Sequence, residues 1–330
     1  MMEKGCMGLL GRAVVTVLPI MPRFVVGWVS RRYHAGEDLS AAVKTMRRLE
    51  GEGACFTIDV LGEEITTMEE ASFFVEEYGR VLETIIETGI DANLSLKPTA
   101  FGLLIDPTIA EGSIEKLVRK AAEDDIFVRL DMEDHRVTQA TIDLVTRMHD
   151  RGLSNIGTVL QGRLYRTLDD IEMISDILGS AADHRICKGI YLEPEDIAFT
   201  GRSDITDATN RAIDVALDSG AYVGIASHDT AIVKHSLVAL EQRGMGPGVP
   251  DPRETAGPQR SGKGPGYEFQ MLLGVRGDLR RRLAKQGHRT RVYLPYGSKW
   301  YEYGVRRLRE NPDVAWHITK ALLFPWSNRR

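Results

Sequence analysis

Cysteine is scarce in this 330-residue chain: Cys6, Cys55 and Cys187 are the only three, and they lie far apart. That spacing excludes a disulfide framework, a zinc knuckle and a redox pair, and it suits a reducing compartment. A basic excess is also missing, since 42 Lys and Arg stand against 47 Asp and Glu, a net charge of −5. A dedicated nucleic-acid-binding surface is disfavoured by that balance. No long unbroken apolar run exists. The best candidate, AVVTVLPIMPRFVVGWV at residues 13–29, is interrupted by Pro19, Pro22 and Arg23. A membrane-spanning helix needs about 20 predominantly apolar residues. A small-x-small cleavage site before Arg31-Arg32 is lacking too. The stretch therefore reads as part of an N-terminal helical arm, residues 1–50, with an interfacial membrane contact as the alternative. No G-x-G-x-x-G follows the first strand and no Walker motif occurs, so the commonest open-sheet nucleotide fingerprints are absent.

What is present is alternation. Short runs rich in β-branched and apolar residues recur at 55–60 (CFTIDV), 93–97 (NLSLK), 126–131 (IFVRLD), 156–161 (IGTVLQ), 185–190 (RICKGI), 221–226 (AYVGIA), 267–272 (YEFQML) and 291–294 (RVYL). Amphipathic stretches such as 69–88, 113–123 and 138–151 lie between them, and Gly89, Gly152 and Gly220 stand where C-terminal helix caps belong. Strand then helix, repeated eight times, predicts an α/β fold: a (β/α)8 barrel over residues 51–330. Residues 244–266 hold seven Gly and five Pro in 23 positions, which leaves room only for a loop. It falls between the sixth helix and the seventh strand, on the face of a barrel away from chemistry.

A barrel carries its active site at the C-terminal ends of its strands. Those ends offer Lys97, Asp131, Gln161, Arg185 with Lys188 and Tyr191, Ser227-His228-Asp229, and Tyr293. So many convergent polar groups point to an enzyme site. Beyond the eighth strand, Tyr303, Arg306, Arg307 and Glu310 follow helical spacing and share a face. Adjacent arginines there can grip a carboxylate with paired, charge-assisted bonds. The nearby Arg280, Arg281 and Arg282 read as a solvated basic face. Other chemistries fit the same residues: a Schiff-base lysine at Lys97 or Lys188 in an aldolase or lyase, or a metal set around His228, Asp229 and Asp131, although no tight ligand spacing supports the metal. Asp131-Met132-Glu133-Asp134 also reads as a solvated acidic turn in which at least Asp131 faces the mouth.

Taken together, SLKPT (95–99), VRLDMED (128–134), TVLQGRLYRT (158–167), RICKGIYLEP (185–194), ASHD (226–229), EFQMLLGV (268–275) and RVYLPYGSKWYEYGVRRLRE (291–310) resemble the proline dehydrogenase family, in its monofunctional bacterial members. The resemblance spans residues 30–325. It implies a distorted (β/α)8 barrel with noncovalent FAD. The implied reaction oxidises L-proline to Δ1-pyrroline-5-carboxylate and passes electrons to a quinone-type acceptor. It implies a cytoplasmic protein with peripheral contact at the inner face of the membrane. Pyrroline-5-carboxylate dehydrogenase would be a separate downstream enzyme, because no second catalytic half is seen in the sequence. By the same resemblance, Arg306 and Arg307 hold the substrate carboxylate with help from Lys97, and Tyr191, Tyr293 and Tyr303 wall the ring. Asp131 orients the site, and Arg185 lies near flavin N5. Met132, Gln161, Lys188, Gly189, Ile190, Ser227 and His228 map onto flavin-contacting positions. Departures from the family pattern occur at Pro98, which removes a backbone donor beside Lys97, and at Gly162-Arg163. They leave hydroxylated or N-methylated prolines open as substrates.

Overall fold

The computed structural model describes residues 27, 31–62, 65–253 and 266–310, with side chains through residue 305. The apolar stretch 13–29, apart from Gly27, and residues 254–265 of the Gly/Pro segment lie outside the described residues.

Eight strands form in the order expected. They are β1 (Ala54–Val60), β2 (Ala92–Leu96), β3 (Val128–Leu130), β4 (Ile156–Gln161), β5 (Asp183–Cys187), β6 (Tyr222–Ala226), β7 (Tyr267–Leu272) and β8 (Thr290–Tyr296). Each pairs in parallel with the next, and β8 pairs with β1, so the sheet closes into a barrel. Helix α1 (Leu39–Glu50) precedes the barrel. Helices α2 (Met68–Thr88), α3 (Pro107–Glu123), α4 (His135–Asp150), α5 (Thr167–Leu178), α6 (Arg202–Asp218), α7 (Thr230–Gln242) and α8 (Gly277–Lys285) connect successive strands, and α9 (Trp300–Glu310) follows β8. Crossover helices are what parallel neighbours require.

Local chemistry explains these elements. In α2, Thr67 caps the first turn, where Glu69 and Glu70 complement the helix dipole. Ala71, Phe74, Tyr78, Val81, Leu82 and Ile85 recur at three- and four-residue steps and are buried. Each large apolar side chain so buried contributes about 1.5–3 kcal/mol. Gly89 ends the helix at φ 62, a left-handed conformation that glycine adopts without strain. The Tyr78 hydroxyl then accepts from the β1 amide of Val60 at 3.0 Å and donates to the β2 carbonyl of Ser95 at 2.5 Å, fixing helix to sheet beside the mouth.

The apolar core lies between strands and helices. Phe56, Ile58, Leu94, Leu96, Val128, Leu130, Ile225, Phe269, Val292 and Leu294 alternate outward, all buried. The inward positions are polar and charged instead of the bulky aliphatic residues usual for this fold. They include Asp59, Ser95, Arg129, Arg185, Glu268, Gln270 and Arg291, all nearly sealed from solvent. Buried charges survive only when paired. Arg129 meets Asp183 at 2.5 Å, Arg185 meets Asp131 at 2.7 Å, and Arg291 meets Glu268 at 2.6 Å.

Two expectations change here. Arg280 is not solvated: it is 4% exposed and ion-paired with Glu52, whereas Arg281 and Arg282 are exposed. A helix pattern alone does not disclose a partner from the β1 approach. Pro98 does not disturb Lys97, because it opens a short 3-10 turn (Pro98–Phe101) whose first position needs no amide donor.

Candidate active site

The strand ends build one cluster around Asp131, the residue after β3. Its Oδ1 accepts from Ser95 Oγ of β2 at 2.6 Å and from Arg185 Nη1 of β5 at 2.7 Å. Its Oδ2 accepts from the Tyr293 hydroxyl of β8 at 2.6 Å. Lys97 Nζ lies 3.8 Å from Oδ2, donates to Asp59 Oδ1 at 2.5 Å and stands 3.3 Å from the Tyr293 hydroxyl. The Arg185 guanidinium carbon sits 5.3 Å from the centroid of the Tyr293 ring, within cation–π range. Asp131, Lys97, Arg185 and Tyr293 are thus brought together as a unit.

Electrostatics divide the two carboxylates. Burial opposes the charge on Asp131, but Arg185, Lys97 and the bonds from Ser95 and Tyr293 outweigh it and hold its carboxyl below the usual range. Burial dominates at Asp59 and raises it, only partly offset by Lys97. Burial and the neighbouring Asp131 push the Tyr293 phenol well above its ordinary value, so it remains a donor. Burial also lifts the Cys187 thiol to about 11, which leaves it a poor nucleophile.

A second group lines the rim from β4 to β7. Gln161 ends β4, and its Nε2 donates to the Glu133 carbonyl at 2.9 Å. Glu133 is no solvated turn residue: its carboxylate holds the Thr99 amide at 3.1 Å and hydroxyl at 2.5 Å. Met132 is buried beside it, and Asp134 caps α4. Strand β5 stops at Cys187, so Lys188, Gly189 and Ile190 stand on the rim just past it. Lys188 meets Asp229 at 2.5 Å. His228 Nε2 accepts from the Leu272 amide at 2.9 Å, which leaves Nδ1 as the protonated donor. Ser227 Oγ accepts from the Asp229 amide at 3.1 Å, so its own proton remains available.

These residues fit a large anionic cofactor with ring carbonyls. Arg185, Lys188, Gln161, His228 and Ser227 supply positive charge and donors along one arc of the rim. Gly189 has φ +89, and a Cβ there would come within 2.6 Å of Gln161 Oε1 and 2.8 Å of Arg163 Cδ. Only glycine leaves that cradle open. Arg163 bonds the Tyr191 carbonyl, while its Nε is buried with no protein partner.

Tyr191 stands half-buried past β5, and Tyr303 is buried on α9. Arg306 and Arg307 lie on α9, at the same barrel face, and their side chains fall outside the described residues. Sequence reasoning missed Asp59 and Ser95, which tie Lys97 and Asp131 down. The signal was there in CFTIDV, a charged residue at an alternating position of an otherwise apolar strand. Both candidate Schiff-base lysines are ion-paired with carboxylates, whereas imine formation needs an uncharged amine.

Comparison with known proteins identifies the family. The family model described as Proline dehydrogenase matches residues 42–319. The chain is 34% identical over 296 residues to Proline dehydrogenase 1 of Bacillus subtilis subsp. natto, covering 89% of this chain and 90% of that one. It is 31% identical over 299 residues to Proline dehydrogenase of Deinococcus radiodurans, with 89% and 90% covered. Among solved structures it is similar to proline utilization A from Bdellovibrio bacteriovorus inactivated by N-propargylglycine. The TM-score is 0.76 at 19% identity, over 92% of this chain and 34% of that one, a likeness of fold.

Proposed function

The chain belongs to the proline dehydrogenase family and oxidises proline, the first step of proline catabolism; we propose that it does so at the Asp131-centred mouth, with noncovalent FAD and Δ1-pyrroline-5-carboxylate as product. The observation that carries this reading is the hub of Asp131, Arg185, Lys97 and Tyr293 beside a donor-rich rim.

Bound FAD supplies the hydride acceptor, and the protein supplies binding, orientation and charge. Lys188, Gln161, Ser227 and His228 would hold the cofactor, with Met132, Gly189 and Ile190 lining its place. Arg185 would lie beside the bound flavin, where its fixed positive charge would favour the reduced state. Asp131 is committed to four neighbours, so it acts by holding Arg185 and Tyr293 in place and takes no proton. Arg306 and Arg307 on α9 grip the substrate carboxylate, with Lys97 as the third cation. That clamp presents the ring carbon to the acceptor. Tyr191, Tyr293 and Tyr303 wall the ring and exclude water. The amine proton leaves to solvent through the mouth. A quinone-type carrier takes the electrons onward, and a separate pyrroline-5-carboxylate dehydrogenase consumes the product. No helix among the described residues is long and apolar enough to cross a membrane.

The test is L-proline-dependent reduction of an artificial dye by enzyme stripped of flavin and then reconstituted. Activity that disappears on stripping and returns with FAD supports the reading. Turnover that ignores flavin overturns it.

A further inference from the structure

Arg185 is itself held from below, by a file of buried side chains on the barrel axis. Its Nε donates to Gln270 Oε1 at 2.5 Å. Gln270 Nε2 donates to Glu268 Oε1 at 2.7 Å. The same Glu268 oxygen accepts from Arg291 Nε at 2.6 Å, and Arg291 Nη1 donates to the Phe56 carbonyl at 2.5 Å. The Tyr222 hydroxyl donates to the other Glu268 oxygen at 3.1 Å. Glu268 and Arg291 are each 1% exposed and Gln270 5%.

The chemistry of this file fixes its direction. A carboxylate only accepts, so the end of the Gln270 amide facing Glu268 must be the NH2 group. The oxygen is thereby turned toward Arg185. With Nε on Gln270 and Nη1 on Asp131, the guanidinium is held at two corners, and Nη2 makes no hydrogen bond among the described residues. A second, independent feature protects the amide. Gly224, inward-facing on β6, leaves the space it occupies: a Cβ there would lie 2.5 Å from Gln270 Nε2 and 3.0 Å from its Cδ.

We infer that Gln270 is a positioning residue for the oxidation: through Arg185, and with its own amide set by Glu268, it determines where positive charge stands at the reacting edge of the flavin. This rests on the placement of Arg185 proposed above. Removing the acceptor leaves Arg185 Nε unpaired in a sealed site, and the guanidinium turns to find another partner.

The experiment measures the flavin midpoint potential and the limiting rate of flavin reduction by L-proline in holoenzyme carrying Gln270→Leu, Gly224→Ala or Arg185→Lys. For Gln270→Leu the expected result is a more negative potential, a limiting rate lower by about tenfold to a hundredfold and a KM for proline within about twofold. Gly224→Ala, which keeps Gln270 and crowds its amide, shifts both quantities in the same sense and serves if Gln270→Leu does not fold. An unchanged potential in both variants while Arg185→Lys shifts it overturns the inference and leaves the flavin placement standing. An unchanged potential in all three removes the placement of Arg185 and the inference with it.

Discussion

Asp131 Oδ1 and Arg185 Nη1 stand 2.7 Å apart inside the barrel, the carboxylate from the end of β3 and the guanidinium from β5, with β4 between them. That pair joins the two halves of the site. Asp131 gathers Ser95, Tyr293 and Lys97, and Arg185 reaches on to Gln270.

Asp131→Asn keeps the shape and removes the charge. It leaves Arg185 without its carboxylate and Lys97 with Asp59 alone. Breaking a buried pair in this way costs about 3–5 kcal/mol. We expect a lower unfolding temperature and a fall in the rate of flavin reduction of about a hundredfold, from stopped-flow absorbance.

Arg306→Ala tests the carboxylate clamp. Loss of a charged hydrogen bond of about 1.5–3 kcal/mol raises the KM for proline by roughly ten- to a hundredfold. Flavin content, read from the visible spectrum, stays at the wild-type level. An unchanged KM removes Arg306 from the clamp.

Residues 254–265 can be tested by excision, with Arg253 and Gly266 joined by a short Gly-Ser linker. Turnover stays within about twofold, because helix-to-strand loops sit on the face opposite the chemistry. The base of the segment matters more. Arg253 donates to the carbonyls of Leu217 at 3.0 Å, Ala221 at 2.8 Å and Gly266 at 3.2 Å. Arg253→Ala strips those carbonyls of a donor, and its melting temperature drops by several degrees while the KM for proline holds.

A buried histidine adds to the loss of stability in acid. His184 is fully buried on β5; burial, then the neighbouring Arg129, lowers it from 6.5 to about 3. The unfolded chain therefore binds a proton that the folded one refuses between those values. This share of stability is complete above pH 6.5 and is lost as pH falls toward 3, at up to about 1.4 kcal/mol per pH unit. Denaturant melts of His184→Gln across that window should show a shallower loss than the wild type.

Much of the site was legible because a barrel aims its strand ends at one face. Lys97, Asp131, Gln161, Arg185, Lys188, Ser227, His228 and Tyr293 all stand at or beside that rim. The interior partners were not legible, for a physical reason. Arg291 meets Glu268 from the adjacent strand and Gln270 meets Arg185 from two strands away, so these partners are set by the order and register of the strands. The alternation of polar residues in YEFQML and RVYL did signal that these strands turn polar groups inward, but no spacing along the chain links Gln270 to Arg185. Arg280 escaped for the same reason, since its partner Glu52 lies 228 positions away. Pro98 looked disruptive only until its place at the start of a turn was known.

Anaerobic titration of the FAD-loaded enzyme with L-proline tests the central claim most directly, with flavin absorbance and released pyrroline-5-carboxylate followed together. The account predicts that each proline consumed bleaches one flavin and yields one pyrroline-5-carboxylate. A flavin that stays oxidised in saturating proline would contradict it, as would a product formed with no change at the flavin.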